Sequence, residues 1–208
     1  MILGSNWAIW ILSQGSFINM KVKYDLACGN NKQEGFVGVD ITKKGTKADI
    51  EFNLLTFPWR FAKDNSVSEV FSSHWLEHIP HGDGYHDPMF EVMDEIFRIL
   101  KPGGIARFVT PYYTSVRAFQ DPTHLRMITE PTFMYFTKVW RKANKLEHYP
   151  VKCDFEIVKI DHSVSEEFTG RAQDAVAFQA AHSWNVVSDI MVTLRKPKLT
   201  KSKKVNRI

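Results

Sequence analysis

Apolar and polar positions along this chain follow two periods in turn. Short β-favouring runs come first, at Val22 to Ala27, Gly35 to Asp40, Ala48 to Phe52, Ser66 to Ser72 and Ile105 to Thr110. Bounded by Gly, Pro, Asn or Asp, they predict five strands. Between the fourth and fifth, Met89 to Leu100 sets Phe90, Met93, Ile96, Phe97 and Leu100 at helical spacing. That predicts an amphipathic helix laid on a sheet. Asp87-Pro88 marks its start and Lys101-Pro-Gly-Gly104 its stop. Five strands with helical crossovers make an α/β domain with a mainly parallel sheet. After Pro111 the pattern changes to an aromatic-rich insertion, 112–150, with a helical stretch over 130–145 and no strand run. Phe155 to Ile160 and Val186 to Leu194 then predict a terminal pair that closes the sheet in antiparallel fashion.

In an open parallel sheet, ligands bind outside the carboxyl ends of the strands, where strand order reverses. The run YDLACGNNKQEGFVGVD, Tyr24 to Asp40, packs a strand, a glycine turn and a second strand into that position. A glycine there lets backbone N–H groups approach a ligand, and the acid ending the second strand can grip two ribose hydroxyls. The spacing excludes a dinucleotide fingerprint, which needs G-x-G-x-x-G and an acid about 20 residues further on. Here Gly29 is followed by Asn30-Asn31-Lys32, and Asp40 arrives after only eleven residues. The third strand delivers Asn53 to the same edge, where an amide can donate to and accept from an adenine.

His74-Trp-Leu-Glu-His78 spells His-x-x-Glu-His, the inverted zinc-peptidase signature. On a helix His74 and His78 would share a face, with Glu77 as base. Ile79-Pro80 ends any helix within a turn and no Cys/His cluster follows, so no metal set is expected and the segment reads as an edge lining a cleft.

The 208 residues suit one domain, expected over 20–194 with an N-terminal extension, 1–19, and a basic tail, 195–208. Of 27 basic residues, seven lie in the tail; the remaining twenty face 23 acids, leaving the body at −3. The body is therefore no polyanion surface, and a nucleic-acid partner stays open only through the tail. Cys28 and Cys153, without metal spacing, read as reduced thiols of a cytoplasmic protein. The apolar run Trp7 to Leu12 lacks the basic flank of a signal peptide and is too short to span a bilayer.

Three blocks, DLACGNNKQEGFVGVDI at 25–41, FNLLTFPWRFAKDNSVSEVFSSHWLEHI at 52–79 and EIFRILKPGGIARFVTP at 95–111, together resemble class I S-adenosylmethionine-dependent methyltransferases of the methyltransferase type 11 kind with a shortened first motif. The resemblance implies a Rossmann-like sheet of seven strands, order 3-2-1-4-5-7-6 with strand 7 antiparallel, and an aromatic-rich cap after strand 5. It implies S-adenosylmethionine as cofactor, with Cys28, Gly29 and Asn30 beside the methionine part and Asp40 and Ile41 at the ribose. Asn53 and Leu54 would lie at the adenine, and Ser73 and His74 near the sulfonium. The segment 121–136, DPTHLRMITEPTFMYF, resembles a block found after the fifth strand in this branch and suggests a substrate-facing cap. An acceptor that must lose a proton needs a base. The candidates are His124, first because an imidazole titrates near neutrality, then His74, Tyr112 and Tyr113. The mildly acidic body and aromatic cap favour a small-molecule or sugar-like acceptor. A nucleic-acid methyltransferase and a non-catalytic cofactor-binding protein are the alternatives.

Overall fold

The sequence places β-branched residues in short runs and one strongly amphipathic stretch between them, and the chain folds accordingly. The computed structural model describes residues 21–83 and 86–198; the expected extension, 1–19, and the tail beyond 198 lie outside them. Seven strands form one sheet: β1 Val22–Leu26, β2 Val37–Asp40, β3 Ile50–Glu51, β4 Val67–Ser73, β5 Leu100–Pro111, β6 Glu156–Val164 and β7 Val187–Arg195. Their order is β3-β2-β1-β4-β5-β7-β6. The first five pair in parallel, and β7 runs antiparallel to both β5 and β6. The expected sheet order is therefore observed.

Helix α1, Pro88–Ile99, is the main crossover. Asp87 caps it by accepting from the Met89 N–H at 2.8 Å, and Pro88 opens it. Its buried face is Met89, Val92, Met93, Ile96 and Ile99, one position round from the stripe expected. Phe90 and Phe97 lie at the margin instead, edge-on to Tyr149 and Phe155. Arg98 holds the segment before β4 to this helix, bonding the Trp59 carbonyl and the Glu95 and Asp64 carboxylates.

Several expectations need correction. The first five strands do not all have helical crossovers: among the described residues only β4 and β5 are joined by an α-helix. β1 and β2 are too close in sequence for one, and the Asp25 carboxylate holds their loop by accepting from the Gln33 N–H at 2.7 Å. β3 shrinks to two residues: at its start the Asp49 N–H donates to the Gly38 carbonyl, but the returning Gly38 N–H goes to the Asp49 side chain rather than to backbone. β5 begins at Leu100, since Val67 already pairs with it and the Gly103 and Gly104 peptides bond to Lys196. The glycine turn is threaded into the sheet rather than standing outside it. The helical stretch 130–145 breaks into α2, Glu130–Met134, and α3, Lys138–Ala143, because Asp154 takes the Lys138 N–H and starts a new helix. An isolated bridge, Tyr112 to Ile128, ties the insertion to the end of β5. α4, Gln173–His182, lies between β6 and β7.

Phe133 and Phe136 of the insertion are buried in the same core as Phe108, so these aromatics are packing. Arg195 and Lys196, grouped by composition with the tail, are engaged with the body. Arg195 ends β7 in an ion pair with Glu156, and Lys196 bonds the Phe97 carbonyl and Asn65. No helix among the described residues is long and apolar enough to cross a membrane.

Candidate functional site

Because β1, β2, β4 and β5 are parallel, Cys28, Asp40, His74 and Tyr112 all lie at or just past carboxyl ends on one edge of the sheet. The glycine loop there is built by carboxylates accepting backbone N–H groups. Gly29, in the left-handed region at φ +48°, donates to Asp40 Oδ2 at 2.8 Å, and Ile41 donates to Oδ1 at 2.7 Å. Both oxygens of Asp40 are thereby fixed at the mouth of the loop. Asp25 sits behind it, 2 % exposed. Burial pushes its carboxyl up to about 6, against the pull of the Gln33 N–H and Lys32. Gly38 permits the close approach: a Cβ there would lie 2.7 Å from Cys28 Sγ and from Lys32 Cδ. Burial, and then the charges of Asp25 and Asp40, push the Cys28 thiol up to about 11. It is a packed thiol, not a nucleophile.

Asp40, Ile41, Asn53 and Leu54 line one cavity of about 160 Å³ together with Phe52 and Trp75. Asn53 spends its carbonyl oxygen locally, accepting from the Leu55 N–H at 2.9 Å, which leaves the amide N–H groups as its donors toward the cavity. Asn30 lies exposed on the glycine loop. Sequence reasoning missed Trp75 and Asp25 as site residues. Trp75 was hidden as a spacer of the His-x-x-Glu-His run, and Asp25 read as one more strand position.

The four expected bases fall among three different sets of partners. His74, at φ +54°, is bracketed by Ser73 Oγ at 2.9 Å on Nδ1 and Asp189 Oδ1 at 3.3 Å on Nε2. The Asp189 bond raises its pKa, with desolvation opposing. Arg117 adds its guanidinium to the same pair, so His74 is held in a charged cluster. Tyr112 donates to Glu130 Oε1 at 3.0 Å, and His162 Nε2 meets the same oxygen at 2.6 Å. Burial, with Glu130 beside it, pushes the Tyr112 phenol well up, so it is a neutral donor rather than a base. Burial alone would raise Glu130, yet its backbone N–H, His162 and Tyr112 hold it below the usual range. These groups and Tyr113 line a cavity of about 690 Å³ between the end of β5, β6 and α4. His124 is elsewhere, its side chain 8 % exposed, with Nδ1 on the Ala118 carbonyl at 3.2 Å and Nε2 4.0 Å from Glu77. Its ring faces His78, not an open cleft.

No family model matches the sequence, and no curated protein does. Solved structures do. A SAM-dependent methyltransferase from Archaeoglobus fulgidus matches with TM-score 0.58 at 18% identity, over 85% of this chain and 86% of that one. One from Methanosarcina mazei matches with TM-score 0.52 at 14% identity, over 86% and 94%. The chain has the class I methyltransferase fold. In the methyltransferase fold, inserting β7 antiparallel between β5 and β6 brings the start of β7 to the edge where the parallel strands end. Asp189, opposite Pro111 in the ladder, reaches His74 for that reason.

Proposed function

We infer that the chain transfers a methyl group from S-adenosylmethionine to a small, sugar-like or partly apolar acceptor. The observation that carries this reading is the single cavity where Asp40, Ile41, Asn53, Leu54 and Trp75 converge beside the glycine loop. The residues fit a nucleoside: a carboxylate fixed by two N–H groups for the ribose hydroxyls, amide N–H donors and an indole for the base. Cys28, Gly29 and Asn30 would lie along the methionine part, with Ser73 and His74 toward the sulfonium. When bound, the sulfonium supplies an activated methyl group for in-line displacement. The protein's share is positioning and the exclusion of water.

The acceptor would occupy the larger cavity at the end of β5. Tyr112 orients it from one wall. Glu130, kept as a carboxylate against its burial by its own backbone N–H, His162 and Tyr112, is the group that takes up a proton the acceptor must lose. This moves the basic role from His124 to Glu130.

Calorimetric titration of S-adenosylmethionine and S-adenosylhomocysteine into the wild type and Asp40→Ala tests the reading. Binding to the wild type and its loss in a variant that still melts cooperatively supports it. A folded wild type that binds neither overturns it.

A further inference from the structure

The carboxylate of Glu77 is the least satisfied polar group near this edge of the sheet. Its residue is 1 % exposed, and neither oxygen has a hydrogen-bond partner among the described residues. A carboxylate left buried without a hydrogen-bond donor or counter-charge is strongly unfavourable, so such a group calls for a partner. Two imidazoles face this carboxylate. A ligand atom each of Glu77, His78 and His124 lies within 4.8 Å of the others.

The tautomers of both rings follow from their partners. His78 Nδ1 meets the Thr123 carbonyl at 3.2 Å and the Thr123 hydroxyl at 3.0 Å. That hydroxyl gives its own proton to Asp121 at 2.7 Å, so it accepts from His78. His124 Nδ1 meets the Ala118 carbonyl at 3.2 Å. Carbonyl oxygens only accept, so each Nδ1 carries the proton and each neutral ring keeps its lone pair on Nε2. A ring N–H held by a backbone carbonyl, with the other nitrogen left as a donor of electrons, is how proteins orient histidines for a metal. The 4.0 Å from His124 Nε2 to Glu77 Oε1 is too long for a hydrogen bond. Ligands on one tetrahedral ion with bonds of about 2.0–2.2 Å stand roughly 3.4 Å apart, so from within 4.8 Å of one another side-chain shifts of up to about 1.4 Å close the set.

We propose that Glu77, His78 and His124 bind a borderline divalent cation, zinc foremost, which pins the turn after β4 to the loop 121–126. Two imidazole nitrogens and one carboxylate oxygen are a donor set for zinc rather than for calcium or magnesium. The loop is already docked on this turn: the Leu125 and Arg126 N–H groups donate to the Glu77 carbonyl, and Arg126 bridges the Ile79 carbonyl and Asp87. The ion would complete that contact through the side chains. The site is not the one the His-x-x-Glu-His spacing suggests. His74 is turned to Asp189, and the second histidine comes from 46 positions beyond His78. This inference is independent of the methyl-transfer reading.

The test uses untagged, full-length protein stripped with a chelator and titrated with Co²⁺ and then Zn²⁺. One ion per chain, visible ligand-field bands of nitrogen-ligated Co²⁺ that Zn²⁺ bleaches, and a rise in Tm with Zn²⁺ are expected. His78→Ala removes a half-buried side chain without opening the core, and weakens binding at least tenfold; Glu77→Gln, which keeps the volume, does the same. Absence of ligand-field bands in the wild type overturns the site. So does Zn²⁺ affinity unchanged in His78→Ala, which would show that the three side chains do not share one ion. Should Glu77→Gln fail to fold, the His78→Ala comparison decides alone.

Discussion

The glycine-loop edge, β1 to β3, and the far side of the site, where β5, β6 and β7 meet the insertion, solve the same problem of fixing polar groups in different ways. At the glycine loop, carboxylates accept backbone N–H groups a short distance along the chain: Asp25 from Gln33 across 8 residues, Asp40 from Gly29 across 11, Asp49 from Gly38 across 11. On the far side, side chains hold side chains across long loops: Glu130 to His162 across 32 residues, His74 to Asp189 across 115. Backbone-anchored groups form a rigid cradle suited to a constant ligand. Pairs recruited from several elements make a wall that can change its chemistry with one substitution.

The largest effect that would break this division is in binding. Asp40→Ala removes a carboxylate that holds two N–H groups and lines the cavity beside the glycine loop, and on the proposed reading is expected to weaken S-adenosylhomocysteine by about 100-fold or more, at roughly 1.5–3 kcal/mol for each hydrogen bond to a charged group. Glu130→Gln should leave that affinity within about threefold while lowering turnover on an acceptor that must lose its proton by at least about 100-fold. Equal losses of affinity in both variants would show that the two regions are not separate.

The same difference decides what was legible in the sequence. Asp40, Asn53 and the glycine loop could be placed because each ends a strand whose hydrophobic period is plain and each acts on a neighbour in sequence. The sheet order came from matching three motif blocks to a family, not from periodicity. Glu130 and His162 were invisible as a pair, since nothing in a run of residues shows that α2 and β6 meet. His124 looked like a base beside Asp121 and Pro122; its burial against Glu77 depends on a loop returning to the turn after β4. The buried face of α1 was misread by one position because Phe90 packs on Phe136 of the insertion and Phe97 on Phe155 just before β6, contacts the pattern could not show.

Next in size is a packing test of the cradle. Gly38→Ala puts a Cβ 2.7 Å from Cys28 Sγ and Lys32 Cδ and 3.2 Å from the Lys47 carbonyl. Overpacking of this kind costs about 1–3 kcal/mol. Urea unfolding should show a lower midpoint with an unchanged slope, and S-adenosylhomocysteine affinity should fall with it. A neutral Gly38→Ala would mean the loop does not lie on β2 as tightly as its contacts indicate.

A smaller effect concerns pH and the buried acid behind the loop. Asp25 has its pKa raised to about 6 from 3.8, so the folded state binds its proton more tightly than the unfolded state. Stability from this group is therefore full below the unfolded value and falls as pH rises through the folded one, by no more than about 2 kcal/mol between pH 4 and 6. Asp25→Asn keeps an oxygen for the Gln33 N–H and removes the titration. Wild type minus variant should thus decline over that window and stay flat above pH 7. A rising difference would mean Asp25 is stabilised as the carboxylate.

The smallest effect lies on the far side and has the opposite anatomy. His74 has a raised pKa because Asp189 bonds its Nε2, so the pair stabilises the fold fully below the unfolded histidine value, about 6.5, and that contribution is lost as pH rises through the higher folded value. The His74 side chain is 36% exposed and Arg117 competes for the same carboxylate, so solvent and the neighbouring cation cut the gain to below about 1 kcal/mol. Asp189→Asn should therefore cost most near pH 5.5 and progressively less above neutrality, measured as the urea midpoint difference from wild type. Adding 0.5 M salt is expected to shrink that difference, because exposed charges are screened. The Asp25 difference should persist in salt, since burial and not a partner's charge is its main cause. A salt response of the same size at both positions would erase the distinction between a cradle fixed by buried backbone contacts and a wall held by exposed pairs.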